Sequence, residues 1–210
     1  MTEDLVVRWV ALVGEAGRPA GLDLVARYSE PHRRYHDVRH LTEVLDAVDE
    51  LAADAQDADA VRLAAWFHDA VYETGDHGGD APSNEEASAR LAERVLGESG
   101  TAPALIAETA RLVRLTETHA APDGDANAAV LCDADLAILA AAPARYAAYT
   151  EAVREEYCAV PDELFRPARA QILGALLTAP TLYRTPAARA RYEERARANV
   201  TAEIAHLTNG

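Results

Sequence analysis

A handful of histidines and acids set in apolar surroundings are the residues of this 210-residue chain that could do chemistry. His36 and His40 are four apart, a spacing that puts both on one face if the helix includes them, although His36 can also stand just before its start. His68 and Asp69 are adjacent within Trp66-Phe67-His68-Asp69-Ala70-Val71, and Asp133 and Asp135 interrupt the run from Val130 to Leu139. A carboxylate inside an apolar helix carries a heavy desolvation cost unless it is paired or bound to a metal. Two such helices, one also presenting an imidazole, would both be relieved by one shared cation. A plainer account stays open. A His-Asp dipeptide by itself carries little weight, a lone core histidine is more often packed than ligating, and Asp69 could cap a helix or pair with an arginine. Asp135 shares a stripe with Leu131 and Leu139 and is expected inward. Asp133, roughly 200° away around the helix, could face solvent.

The elements that must position these residues read as helices throughout. Leu5, Val6, Trp9, Val10, Leu12 and Val13 mark a first amphipathic helix over 3–17, ended by Gly17 and Pro19, with a short helix at 22–29. Val38 to Leu51 carries a strong apolar stripe, and 57–72 carries another. A Gly-, Asp- and His-rich loop is expected over 73–82. Ser83 with Glu86 three residues on reads as a capping box opening a helix to about Leu96. Pro103 starts the next helix, which runs to His119. Further helices are expected around 130–138, 144–158, 162–178 and 187–207, with the Ala-rich patch 137–148 as helix rather than linker. No linker or repeat divides the chain, so the expectation is all-α: one compact bundle of nine or ten helices over residues 1–210.

Composition narrows the function classes. Alanine accounts for 47 residues, favouring helix, and only 6% of the chain is aromatic, with no period-2 strand pattern. All 20 basic residues are arginine against 35 acids, a net charge of −15. That field does not attract nucleic acid, and the lack of lysine excludes Schiff-base and P-loop lysine chemistry. Cys132 and Cys158 are too few and too far apart for a disulfide framework or a CxxC site, and both are expected as buried free thiols. With no secretory signal pattern and no long apolar run, the expected location is cytoplasmic, with no membrane partner. Oligomeric state is not readable.

Collinear motifs then suggest a family. They are Arg34-Tyr35-His36-x-x-x-His40, Ala65 to Tyr72, Asn84-Glu85-Glu86-x-Ser88-Ala89, Thr116-x-x-His119, Asp133-Ala134-Asp135-Leu136-x-Ile138-Leu139, Val153-Arg154-x-Glu156-Tyr157 and Glu193-x-x-Ala196-Arg197-x-Asn199. Spread over nearly the whole chain, they resemble the HD superfamily, and more narrowly its predicted metal-dependent HD phosphohydrolases. The Tyr-His-x-x-x-His start is also similar to cyclic-nucleotide phosphodiesterases. The resemblance implies His40, His68, Asp69 and Asp135 as metal ligands. Two imidazoles and two carboxylates suit one divalent Mn, Ni, Co, Zn or Fe ion, and a second ion is left in doubt because adjacent-His pairs are lacking. It implies His36 as general acid, and Glu85 rather than the capping-box residue Glu86 to orient or deprotonate the attacking water. Tyr35, Arg39, Arg154, Arg197 and Asn199 would contact substrate, with Arg34 also in the pattern, and His119 would either contact the phosphate or hold a second metal. The implied activity is hydrolysis of a small phosphoester, nucleotides among the candidates, by attack of metal-bound water. Two other readings stand beside it: a non-catalytic metal- or nucleotide-binding helical module, and a di-iron centre for oxygen chemistry.

Overall fold

The computed structural model describes residues 2–74 and 82–209. Most of the loop expected over 73–82, His77 included, lies outside the described residues. Among these residues there are ten α-helices and no strand, an all-α bundle as the periodicity predicts. The helices are α1 (Thr2–Val13), α2 (Arg18–Arg27), α3 (Val38–Leu51), α4 (Ala58–Phe67) and α5 (Asn84–Glu98), then α6 (Pro103–Leu115), α7 (Ala126–Asp135), α8 (Pro143–Glu156), α9 (Asp162–Thr178) and α10 (Pro186–Asn209). Single 3-10 turns occupy 15–17, 52–54 and 136–140.

Helix α4 is the axis of the bundle. Seven of its ten residues are buried, Ala60, Val61 and Leu63 to Phe67, and only its first turns reach solvent, where Asp59 pairs with Arg62. It packs against α3, α5, α6 and α7, while α10 lies across α9 and the turn 136–140. Asp37, Asp57, Ser83 and Asp125 each accept backbone N–H bonds at the starts of α3, α4, α5 and α7, which satisfies donors that a helix start leaves orphaned. The ring of Trp9 meets Trp66 and Phe67 edge-on, at 5.4 and 5.7 Å between centroids, and its indole N–H donates to the Gly17 carbonyl at 2.8 Å. A Cβ on Gly21 would collide with the same indole, so glycine sets how closely α2 approaches α1.

Several boundaries differ from expectation. Helix α1 stops at Val13, where Gly14 takes φ 84°, and Pro19 lies in the first turn of α2 instead of ending a helix, a position where its missing N–H costs nothing. Helix α6 ends at Leu115, four residues before His119. Helix α8 ends at Glu156, which puts Cys158 in a turn; Cys132 is buried as expected, but Cys158 is exposed. Ser83 caps α5 as the box predicts, yet the Glu86 carboxylate accepts from Arg90 and Arg114. No single helix among the described residues is long and apolar enough to cross a membrane. The segments 126–140 and 143–156 reach that length and apolarity only together, across a 105° bend.

Candidate metal centre

Three helix ends and one turn bring the candidate ligands together. Asp37 caps α3, accepting from the amides of Arg39 and His40, so His40 enters the core from the first turn, 1% exposed. His68 caps the C-terminal end of α4 and is equally buried, with Asp69 following it. Asp135 is the last residue of α7. His119 follows α6 at φ 51°, a left-handed conformation uncommon outside glycine, and its Nε2 lies 2.7 Å from Asp135 Oδ2.

The His40 and His68 Nε2 atoms are 3.0 Å apart. Asp69 Oδ2 lies 3.1 Å from His68 Nε2 and 3.4 Å from His40 Nε2, and Asp135 Oδ1 lies 3.3 Å from His40 Nε2 and 3.7 Å from His68 Nε2. The His68 Nδ1 sits 2.7 Å from the Ala65 carbonyl. A carbonyl only accepts, so Nδ1 carries hydrogen, and the neutral ring then turns a bare lone pair at Nε2 toward His40 and two carboxylates. A single hydrogen on His40 Nε2 does not satisfy all of these acceptors, which leaves room for a second proton or a metal ion among them. Metal bonds of about 2.1 Å place neighbouring donors about 3.0 Å apart in octahedral and about 3.4 Å apart in tetrahedral geometry. His40, His68 and Asp69 fit that spacing and could hold a metal ion.

Electrostatics agree with the geometry. Burial works against a charged His40, but Asp135 and Asp69 outweigh it and push its pKa up to about 10. His68 is raised too: burial opposes the charge, and Asp69 and Asp135 favour it. Against the same burial, His68 and His36 hold Asp69, and His119 and His40 hold Asp135, well below the usual carboxylate range. The cluster is poised to gather positive charge between its acids.

Beside it stands an assembly that periodicity does not reveal. Glu156 Oε1 accepts from the backbone N–H groups of Arg34, Tyr35 and His36 at 2.8, 2.8 and 2.9 Å, while Oε2 lies 2.7 Å from His36 Nδ1. Tyr72 stacks on His36 with centroids 4.2 Å apart, and its hydroxyl donates to Glu156 Oε2 at 3.3 Å. Arg33, 5% exposed, donates to the carbonyls of His36 and Asp69 at 3.0 and 2.7 Å, tying the segment before α3 to the one after α4. Tyr28 accepts the Asp69 amide at 3.2 Å. Glu156 and Tyr72 fall within motifs already noted, and Arg33 adjoins one. Their partners lie up to 122 residues away, and no local pattern gives that pairing.

The other sequence candidates take varied places. Tyr35 is buried and packs its ring 4.6 Å from that of His40 and 4.6 Å from that of Tyr149. Glu85 stands half-buried in the first turn of α5 and, among the described residues, makes no hydrogen bond to the cluster. Arg39 is exposed and pairs with Glu43. Arg34 faces Glu155 at 3.9 Å. Arg154 donates to Asp162 and to the carbonyls of Tyr157 and Val160, closing the end of α8. Arg197 binds Glu193 and the carbonyls of Ala179 and Pro180 after α9, and Asn199 donates to Leu139 and Ala141. The structure brings neither these arginines nor Asn199 into hydrogen-bonding contact with the cluster. Asp133, for which a solvent-facing position is open on spacing alone, is 1% exposed and accepts from the amides of Arg184 and Thr185 at 2.7–3.1 Å. Both acids of α7 therefore turn inward, toward different partners.

No family model, curated protein or solved structure matches this chain.

Proposed function

We propose that the protein is a metal-dependent phosphohydrolase acting on a small phosphoester. The observation that carries this reading is the convergence of His40 Nε2, His68 Nε2 and Asp69 Oδ2 at ligand-to-ligand spacing, with Asp135 Oδ1 3.3 Å from His40 Nε2 and the His36 ring 5.5 Å from that of His40. A divalent ion bound there would supply Lewis acidity toward a phosphoryl oxygen and lower the pKa of a water. The chain's own residues do the rest. Ala65 fixes the His68 tautomer through Nδ1, as a ligating imidazole requires. Glu156 takes hydrogen from His36 Nδ1 and leaves Nε2 as the nitrogen that can give a proton to a departing oxygen. Tyr72 and Arg33 keep that ring and its backbone in place. Asp69 senses His36, which puts the proposed acid within electrostatic reach of the ligands. A purely structural metal site has no use for an imidazole oriented in this way.

One feature favours a second ion. Asp135 turns Oδ1 to His40 and His68 and Oδ2 to His119, the arrangement of a bridging carboxylate. The testing experiment is metal analysis of protein purified without added metal, followed by phosphate release from a panel of phosphoesters. About one equivalent of transition metal, or two with His119 engaged, and metal-dependent phosphate release lost in His68→Ala and Asp135→Ala are expected. Two equivalents of iron with oxygen uptake and no phosphate release would replace this reading with oxygen chemistry. Metal without turnover would leave a binding module.

A further inference from the structure

The alanines around residues 134–141 leave room beside the cluster. A cavity of about 270 Å³ lies between α3 and the turn 136–140, with His40 and Asp135 in its wall. Val44 and Ala47 line it from α3, and Ala137, Ile138 and Ala141 from the facing side. Small residues keep it open, since leucine at one of these alanines would occupy it. Its charged groups are already matched. Arg145 donates to both oxygens of Glu43, at 2.8 and 2.7 Å. Asp46 holds Arg8 at 2.6 Å, and Glu50 accepts from Arg191 at 3.0 Å and from the Tyr192 hydroxyl at 2.9 Å. The guanidinium that lines the cavity is thus committed to a carboxylate, and an incoming anion would have to displace Glu43 beside Asp46 and Glu50.

We propose that this cavity receives the organic group of the phosphoester and selects a compact, uncharged, predominantly apolar one, a short alkyl chain or a single aromatic ring, over a group carrying a second phosphate or a carboxylate. This rests on the phosphohydrolase reading. The volume is about nine times that of a liquid water molecule, enough for one ring and its linkage.

The test uses non-hydrolysable phosphonates and the full-length protein loaded with Mn²⁺, read by calorimetry. Phenylphosphonate should bind at least about tenfold tighter than methylphosphonate, a difference of about 1.4 kcal/mol, and 4-carboxyphenylphosphonate should lose that advantage. Ala137→Leu and, as an independent variant, Ala141→Leu should remove the phenyl preference while leaving methylphosphonate binding, metal content and melting temperature nearly unchanged. Ile138→Ala should extend binding to a naphthyl group. Equal binding of phenyl and methyl compounds, a preference untouched by both leucine variants, or no phosphonate binding at all would overturn the subsite. The hydrolase reading fails separately, if no ester releases phosphate in a metal-dependent way while phosphonates still bind.

Discussion

Glu156 Oε2 lies 2.7 Å from His36 Nδ1, and the same carboxylate's other oxygen is held by three consecutive amides, those of Arg34, Tyr35 and His36. One side chain, 120 residues away in sequence, therefore fixes both the backbone that carries the imidazole and the nitrogen on which it keeps a hydrogen. A carboxylate on one ring nitrogen selects the tautomer.

Glu156→Gln keeps an oxygen for the three amides but can turn an N–H toward His36 Nδ1, reversing the polarity of that contact. Turnover should fall about 10²–10⁴-fold, the range of a lost general acid, with metal content unchanged. Steady-state kinetics beside metal analysis checks this, and a variant with wild-type turnover would remove Glu156 and His36 from the chemistry.

The Glu156 carboxyl also governs acid stability. Burial raises its pKa, but His36 and the backbone amides outweigh that and bring it from 4.5 to about 2. A depressed pKa means that the carboxylate contributes stability fully above about 4.5 and loses it as pH falls toward 2. Between those values the melting temperature of the wild-type protein should fall more steeply than that of Glu156→Gln. Parallel melting curves for the two proteins across that window would refute the linkage.

The metal-free cluster should show the opposite sign at alkaline pH. His40 is raised from 6.5 to about 10, so its imidazolium contributes stability that is complete below 6.5 and vanishes as pH rises through 10. Metal-free protein should lose melting temperature over that range, and loaded protein should lose less, because the ion replaces the proton. Metal binding near pH 7 should correspondingly release protons, with affinity rising about tenfold per pH unit for each proton displaced. Calorimetry in buffers of different ionisation enthalpy measures the release, and binding without proton release would contradict the assignment.

Asp133 and Asp135, two residues apart, should separate stability from metal binding. Asp133→Ala strands two amides at the approach to α10, a cost of about 1–3 kcal/mol for each buried group left unsatisfied. It should lower the melting temperature and keep the metal. Asp135→Ala should lose metal. Melting curves and metal stoichiometry on the same preparations decide it, and metal loss from Asp133→Ala in folded protein would show that the two acids act as a unit.

Gly21→Ala should cost about 1–3 kcal/mol through overpacking against Trp9. Denaturant unfolding measures this, and a variant as stable as wild type would show that the Trp9 indole can shift at no cost.

Local chemistry in the sequence determined the helical class, the Ser83 cap, the apolar stripe within 57–72 and the candidacy of His40, His68, Asp69 and Asp135. Helix periodicity, capping and desolvation act over a few residues, and a single chain displays them directly. Tertiary structure alone decided the rest. It committed Arg39, Arg154 and Arg197 to carboxylates and helix ends, and it chose Arg33 over its neighbour Arg34 as the buried link between His36 and Asp69. It also turned Asp133 to a loop and Asp135 to the cluster. Arginine and acid side chains are long and find partners on any neighbouring element, so their roles depend on which helices meet. In this chain that is set by the packing of α3 and α7 against α4 and by the end of α8 meeting residues 34–36, and not by spacing along the sequence.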